Sequence, residues 1–313
     1  MEPAYIITTE PPSWWDENVK EPRQSSFFCK LDKTSRYFLI NNKGLCFQIL
    51  KKGPFKMAKS FFPNLDNELL NEFLVYCKEN KLHPLIHLYY DIDKLKSVKL
   101  STVIIDLKKD DLWMSLDKKQ RNRIRRSKEK DLFFKEALSK EQWLSYYALY
   151  KETAQRKKIK FYSLENLNQI YDLGRNFSKL FFIEYNNSPI CYAQLYTHKN
   201  FIFLNTLANA EISYELNANA LLIWEIMMWG KQNNFKLFDL GGLDENAVKD
   251  SPQDKVNKFK LSFGPRVDFN EYTDLWLYLK LRPLYGKLKN SWLGRLYGNN
   301  ITTLSSSYKT ESL

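Results

Sequence analysis

Histidine and cysteine are scarce in this 313-residue chain, which holds three of the first and four of the second. Cys29, Cys46, Cys77 and Cys191 show no C-x-x-C spacing, so they read as reduced core thiols rather than a metal or disulfide framework. His83 and His87 lie four apart, but Pro84 between them breaks the regular helix face that a paired-histidine site needs. No metal site is expected. Long apolar runs are missing too: no span reaches transmembrane length. The polar, acidic N-terminus, with Pro11-Pro12 and Trp14-Trp15, shows no secretory signal. These absences together predict a cytoplasmic protein.

What is present is ample for packed cores. Apolar residues make up 44% of the chain and aromatics 15%, and the length fits two domains or one large one. The net charge of +12 predicts an anionic partner: nucleic acid, an acidic membrane surface or a phosphorylated substrate.

One stretch organises the rest, KLFDLGGLDENAVKDSPQDKVNKFKLSFGP from Lys236 to Pro265. Leu237-Phe238 reads as a buried strand closed by Asp239, Gly241 and Gly242, a turn whose backbone angles only glycine tolerates. An acidic loop follows, and Phe259-Lys260-Leu261-Ser262-Phe263-Gly264-Pro265 returns to order. Polar groups at a strand end, facing a loop with one buried-looking lysine, are a common way to build a site. A plain strand–loop–strand connection fits the same spacing.

Upstream, Tyr37–Ile40 and Leu45–Leu50 flank Asn41-Asn42-Lys43-Gly44 and predict a β-hairpin. Leu69, Leu70, Phe73, Leu74 and Cys77 have helical spacing, with Asp66 as the cap. HPLIHLYYDID and STVIIDL read as strands. From Leu112 to Lys130 the chain becomes a dense basic helix anchored by Trp113, Leu116 and Ile124. Arg121, Arg125 and Lys128 share one face of it, and like charges so close repel unless an anion is bound. A solvated surface helix is the plainer reading. Two helices follow between Ser139 and Asp172, then a strand pair turning at Asn186-Asn187. A short strand, a turn at Asn217–Asn219 and an amphipathic helix lead into LFDLGG. The stretch Leu275–Gly298 mixes Trp276, Trp292 and five cations, and reads either as a packed helix or as a membrane-surface patch.

Asp-Leu-Gly-Gly followed some twenty residues later by Phe-Lys-x-x-Phe-Gly resembles the C-terminal signature of the FemABX peptidyltransferases, relatives of the GNAT acyltransferases. The resemblance extends to Gln24-Ser25, to the hairpin, and to Trp113, Leu116, Lys119, Arg121, Ile124 and Arg125 in the basic segment. Lys52-Gly53-Pro54 stands where that family has R-G-P; lysine keeps the charge but lacks arginine's planar fork. The turn Glu215–Ala220 has no glycine, unlike the phosphate-cradling turn of GNATs that bind acyl-CoA.

The resemblance implies an α/β fold with mixed sheets, made of two GNAT-like acyltransferase domains in tandem, residues 1–135 and 136–300, before a disordered tail at 301–313. It implies an acyltransferase that moves an aminoacyl group from aminoacyl-tRNA to an amine of a peptidoglycan precursor or related cell-surface glycan. No cofactor is needed. The expected partners are aminoacyl-tRNA and a phosphorylated or lipid-linked cell-envelope precursor, met by a monomer at the inner face of the membrane. Lys260, Phe259 and Asp239 are the expected catalytic residues. Lys260 is to stabilise an oxyanion or to neutralise the phosphates of the tRNA acceptor end, with Phe259 to position it. Asp239 reads either as a base or as a cap of backbone amides, the substrate then supplying the base. Arg121, Arg125, Lys119, Lys52, Gly53, Gly241 and Gly242 are the expected substrate-binding residues. Two other readings stand beside this one. One is an acyl-CoA-dependent N-acyltransferase acting on a sugar or lipid-linked glycan, and the other a non-catalytic RNA- or membrane-binding protein.

Overall fold

The computed structural model describes residues 5–52, 54–92, 95–157, 161–174 and 176–275. The chain divides into two compact units. The first holds the residues up to Ser101, with Asp244–Lys249 and the segment from Asp268; the second holds Thr102–Leu243 with Asp250–Val267. The division therefore falls at 101/102 and not near 135. The expected Leu275–Gly298 patch and the 301–313 tail lie, from residue 276 on, outside the described residues.

The first unit begins with β1 (Ile6–Thr8), the short helices α1 (Trp15–Asn18) and α2 (Ser26–Lys30), and the hairpin β2 (Ser35–Ile40) and β3 (Lys43–Lys52). Ile40 pairs with Lys43 across Asn41 and Asn42, whose φ angles of 47° and 58° match the primed hairpin turn. β4 (Phe55–Phe61) returns antiparallel to β3, and α3 (Asn67–Glu79) crosses over to β5 (His83–Leu88), parallel to β4. Asp66 caps α3 by accepting from Leu69 N at 2.8 Å, a bond that contributes about 1 kcal/mol. The apolar positions Leu69, Leu70, Phe73 and Cys77 all face the core with Phe38, Phe47 and Ile86, as the helical spacing predicts. Glu271 of β12 (Arg266–Thr273) pairs with His87, which places β12 beside β5. Cys29 and Cys46 meet where α2 packs against β3, a contact that their separation of 17 residues does not signal. Cys77 and Cys191 are free and buried.

β6 (Lys96–Asp106) carries the chain into the second unit. There follow α4 (Lys118–Lys128), β7 (Leu132–Glu136), α5 (Lys140–Arg156) and α6 (Leu164–Gly174). The meander β8 (Ser178–Tyr185), β9 (Ser188–His198) and β10 (Phe201–Asn209) comes next, then α7 (Ile212–Glu215) and α8 (Ala218–Gln232). β11 (Leu237–Gly242) and α9 (Pro252–Leu261) complete it. The strands of this unit lie in the order β6-β11-β10-β9-β8-β7. β8 and β9 turn at Asn186-Asn187, both left-handed, as the sequence predicts.

Three local expectations are corrected here. The segment before the Asn217 turn is the helix α7 and not a strand, because its four residues close i→i+4 and i→i+3 bonds onto Leu216 and Asn217. α8 is buried on nearly every side, from Ala218 to Gly230, so it is a core helix and not an amphipathic one. At Gly230 an added Cβ would stand 2.8 Å from Ile202 and 2.9 Å from Leu107, so this glycine sets the helix-to-sheet approach. Finally, the basic helix starts at Lys118, capped by Asp117; Trp113 and Leu116 precede it and join the core beside Ile124. α4 packs against α8, which is why it belongs with the second unit.

Candidate active site

The parallel pairing of β10 with β11 runs only from Phe201↔Leu237 to Phe203↔Asp239. Beyond that point β10 stays with β9 as far as Asn209, while β11 stays with β6 as far as Gly242. Two parallel strands that part in mid-sheet leave a wedge between their C-terminal halves. Irregularities sit on both walls, at Leu204/Thr206 and at Asp239/Gly242, where the strands bend apart.

The β11 wall ends in the D-L-G-G turn. Asp239 is buried, and its Oδ1 accepts from Thr102 Oγ1 and from Gly241 N, the latter at 2.8 Å. It therefore serves as the cap of its own turn, with one oxygen already holding two donors. Gly241 has φ +81°, a left-handed conformation that a side chain resists, and a Cβ there would lie 3.5 Å from Lys260 Nζ. Lys260 Nζ donates to Gly242 O at 2.8 Å. Burial of this amine lowers its pKa to about 8, and the Asp239 charge opposes the shift without cancelling it.

The F-K-x-x-F-G segment holds that lysine in place. It forms the end of α9, where the spacing was expected to return to order, so the connection is strand–loop–helix and not strand–loop–strand. Ser251 caps α9 and Pro252 opens it. Phe259 and Phe263, four apart, bring their rings to 5.1 Å and anchor the last turn on the core of the second unit. Lys260 is thereby turned to the end of β11. Gly264 lets the chain pass β6, since a Cβ would stand 2.9 Å from Ile105.

The β10 wall is polar and tyrosine-rich. Asn205 Nδ2 donates to Gln194 Oε1 at 2.6 Å, and Gln194 Nε2 donates to Ser178 Oγ at 2.7 Å. The Tyr146 hydroxyl meets that of Tyr162 at 2.6 Å and also bonds Thr206. Burial pushes the phenols of Tyr146, Tyr162 and Tyr196 well up and that of Tyr150 to about 12, so all four stay neutral hydrogen-bonding groups. Sequence reading missed these residues and Thr102. The run YYALY shows only helical spacing, and no local signal tells a buried tyrosine that bonds β10 through its hydroxyl from one that only fills a core.

Asp239, Gly241, Gly242, Phe259 and Lys260 are brought together. The basic helix is joined to them at one end, where Asp117 N donates to Ser262 O at 3.1 Å and Ser262 Oγ donates to Gln120 Oε1 at 3.2 Å. Its expected anion-binding face is otherwise occupied. Arg121 Nη1 donates to Leu116 O at 2.7 Å, the Arg125 guanidinium lies 5.3 Å from the Trp113 ring centre, and Lys128 pairs with Glu225 at 3.2 Å. Lys119 is exposed on another side of the helix. Lys52 ends β3 of the first unit, paired with Phe55, and Gly53 lies outside the described residues. Among the described residues no group of histidine, cysteine or carboxylate side chains could hold a metal ion, and no helix is long and apolar enough to cross a membrane.

No family model matches the chain, and no curated protein matches it in sequence. Solved structures match in fold. FemX superposes with a TM-score of 0.68 at 14% identity, covering 88% of this chain and 99% of its own. L-PGS from Bacillus licheniformis gives 0.61 at 15% identity, covering 93% and 98%. The C-terminal domain of a protein assigned as a lysylphosphatidylglycerol synthetase, from Agrobacterium fabrum, gives 0.62 at 12% identity, covering 85% and 92%. The chain thus shares the fold of FemX, a mixed α/β architecture whose residues divide into two compact units.

Proposed function

We propose that the protein is an aminoacyltransferase that moves an aminoacyl group from aminoacyl-tRNA to an amine of a cell-envelope precursor. The observation that carries this reading is Lys260, its amine held at the end of β11 where β10 and β11 part. In aminolysis of an ester the amine nitrogen bonds to the carbonyl carbon, and negative charge collects on the carbonyl oxygen. The bond to the ribose oxygen then breaks, and that oxygen takes the proton the amine has lost. A fixed cation beside the carbonyl lowers the barrier, and a single such group is worth about a hundredfold to a thousandfold in rate. At neutral pH Lys260, with a pKa of about 8, is mostly charged and so suits that task. The capped carboxylate of Asp239 orders the turn and leaves proton removal to the substrate. The likeness to FemX and to L-PGS supports cell-envelope acceptors. Incubation with charged tRNA and with lipid-linked and nucleotide-linked murein precursors, followed by mass analysis, tests the reading; a precursor heavier by one aminoacyl residue is the expected product.

An acyl-CoA donor is the second reading. The N-terminus of α8, next in the chain after β10 and α7, has no side-chain cap, and Asn217 takes the left-handed conformation that glycine supplies elsewhere. Calorimetry with coenzyme A decides between the donors: saturable binding that Lys260→Met leaves intact would favour acyl-CoA.

A further inference from the structure

The expected anion-binding face of α4 is satisfied inside the second unit, but another flank is not. Lys119, Arg123 and Arg126 stand at i, i+4 and i+7 along α4, and Lys130 follows just beyond its C-cap Glu129. Among the described residues none of the four has an ion pair; Arg123 only donates to Gln120 Oε1, at 3.3 Å. The eleven residues of α4 include no carboxylate. At 1.5 Å rise per residue the three helical cations cover about 10 Å, and Lys130 extends the row. Holding like charges in a row costs stability unless a polyanion faces them.

Both ends of this row are tied to elements of the wedge. At the N-terminal end, Asp117 N is bonded to Ser262 O, two residues after Lys260. At the other end, Ser127 Oγ donates to Leu216 O and Asn217 O, each at 3.0 Å, at the start of α8. The row therefore runs from the helix that carries Lys260 to the turn between α7 and α8.

We propose that Lys119, Arg123, Arg126 and Lys130 form the track on which the phosphate backbone of an RNA lies, with its 3′ end directed to Lys260. This deepens the function proposed above and rests on it. RNA is favoured over a lipid surface because the only apolar residue of α4, Ile124, is fully buried, so nothing on the helix can anchor in a bilayer. Two of the four cations are arginines, whose forked donors suit phosphate oxygens.

The test is binding of a fluorescent short RNA duplex with a single-stranded 3′ end, across a salt series, by the wild type and by the triple variant Lys119→Ser, Arg126→Ser, Lys130→Ser. Three lost phosphate contacts should flatten the salt slope by about 2 and weaken binding about a hundredfold at 0.1 M salt. The melting temperature should hold, because none of the three side chains has a side-chain partner among the described residues. A triple variant that binds RNA with the wild-type slope overturns the track, and if it also transfers aminoacyl groups normally, the proposed function survives. Loss of binding to phosphatidylglycerol vesicles, with RNA binding intact, assigns the row to a membrane and overturns the proposal. A wild type that binds no RNA and transfers nothing overturns both.

Discussion

Replacing Lys260 with methionine separates function from stability at the centre of the wedge. Methionine keeps the volume of the stem and removes the charge. In the folded protein the lysine pKa is lowered from 10.5 to about 8, mainly by burial of the amine. The charged form is thus penalised below pH 8 by about 3 kcal/mol relative to the unfolded chain, and the penalty fades as pH rises from 8 to 10.5. Against this, the substitution leaves Gly242 O without the donor now at 2.8 Å, which costs about 1–3 kcal/mol. The two effects nearly cancel, so Lys260→Met should unfold in urea within about 2 kcal/mol of the wild type at pH 7. Transfer, in contrast, should fall about a hundredfold or more, since a cation facing the oxyanion acts only in the transition state. The pH profile supplies the second arm: wild-type kcat/KM should decline as pH rises through about 8, and that limb should vanish in the variant. A variant destabilised by several kcal/mol that keeps its turnover would make Lys260 a structural residue and refute the reasoning.

Gly241→Ala should cost about 1–2 kcal/mol, because φ is +81° there, and should lower transfer to the extent that the turn relaxes away from Lys260, since the added Cβ itself meets Nζ only at an ordinary 3.5 Å; denaturant curves and turnover measured together check this. His87 is buried against Glu271 at 2.8 Å, and burial lowers its pKa from 6.5 to about 4. The unfolded chain then binds the extra proton between pH 6.5 and 4, so stability should fall by up to about 3 kcal/mol across that window; a flat urea midpoint there would show that the native state protonates freely. Charge reversal at Arg121 and Arg125 should lower the melting temperature, because Arg121 braces Leu116 O and Arg125 covers Trp113. An unchanged melting temperature with lost RNA affinity would return those two residues to the binding surface.

Much of this molecule was set by local chemistry. The Asn41-Asn42 and Asn186-Asn187 turns, the Asp66 cap and the apolar stripe of α3 follow from residue conformational preferences and a 3.6-residue period, which neighbours in sequence are enough to specify. So does the D-L-G-G turn, whose Asp239 cap and left-handed Gly241 lie within three residues of each other. Tertiary packing decided the rest. Whether the row of cations on α4 is spent inside the protein depends on Trp113, Leu116 and Glu225, and only folding brings these to one flank and leaves the other bare. The lysine of F-K-x-x-F-G gains its lowered pKa from burial at the end of β11, a property that exists only once α9 is docked by Phe259 and Phe263. The wedge itself belongs to neither β10 nor β11 alone. It arises because each strand follows a different neighbour past Phe203 and Asp239, and a choice between hydrogen-bonding partners far apart in the chain is one no local pattern can encode.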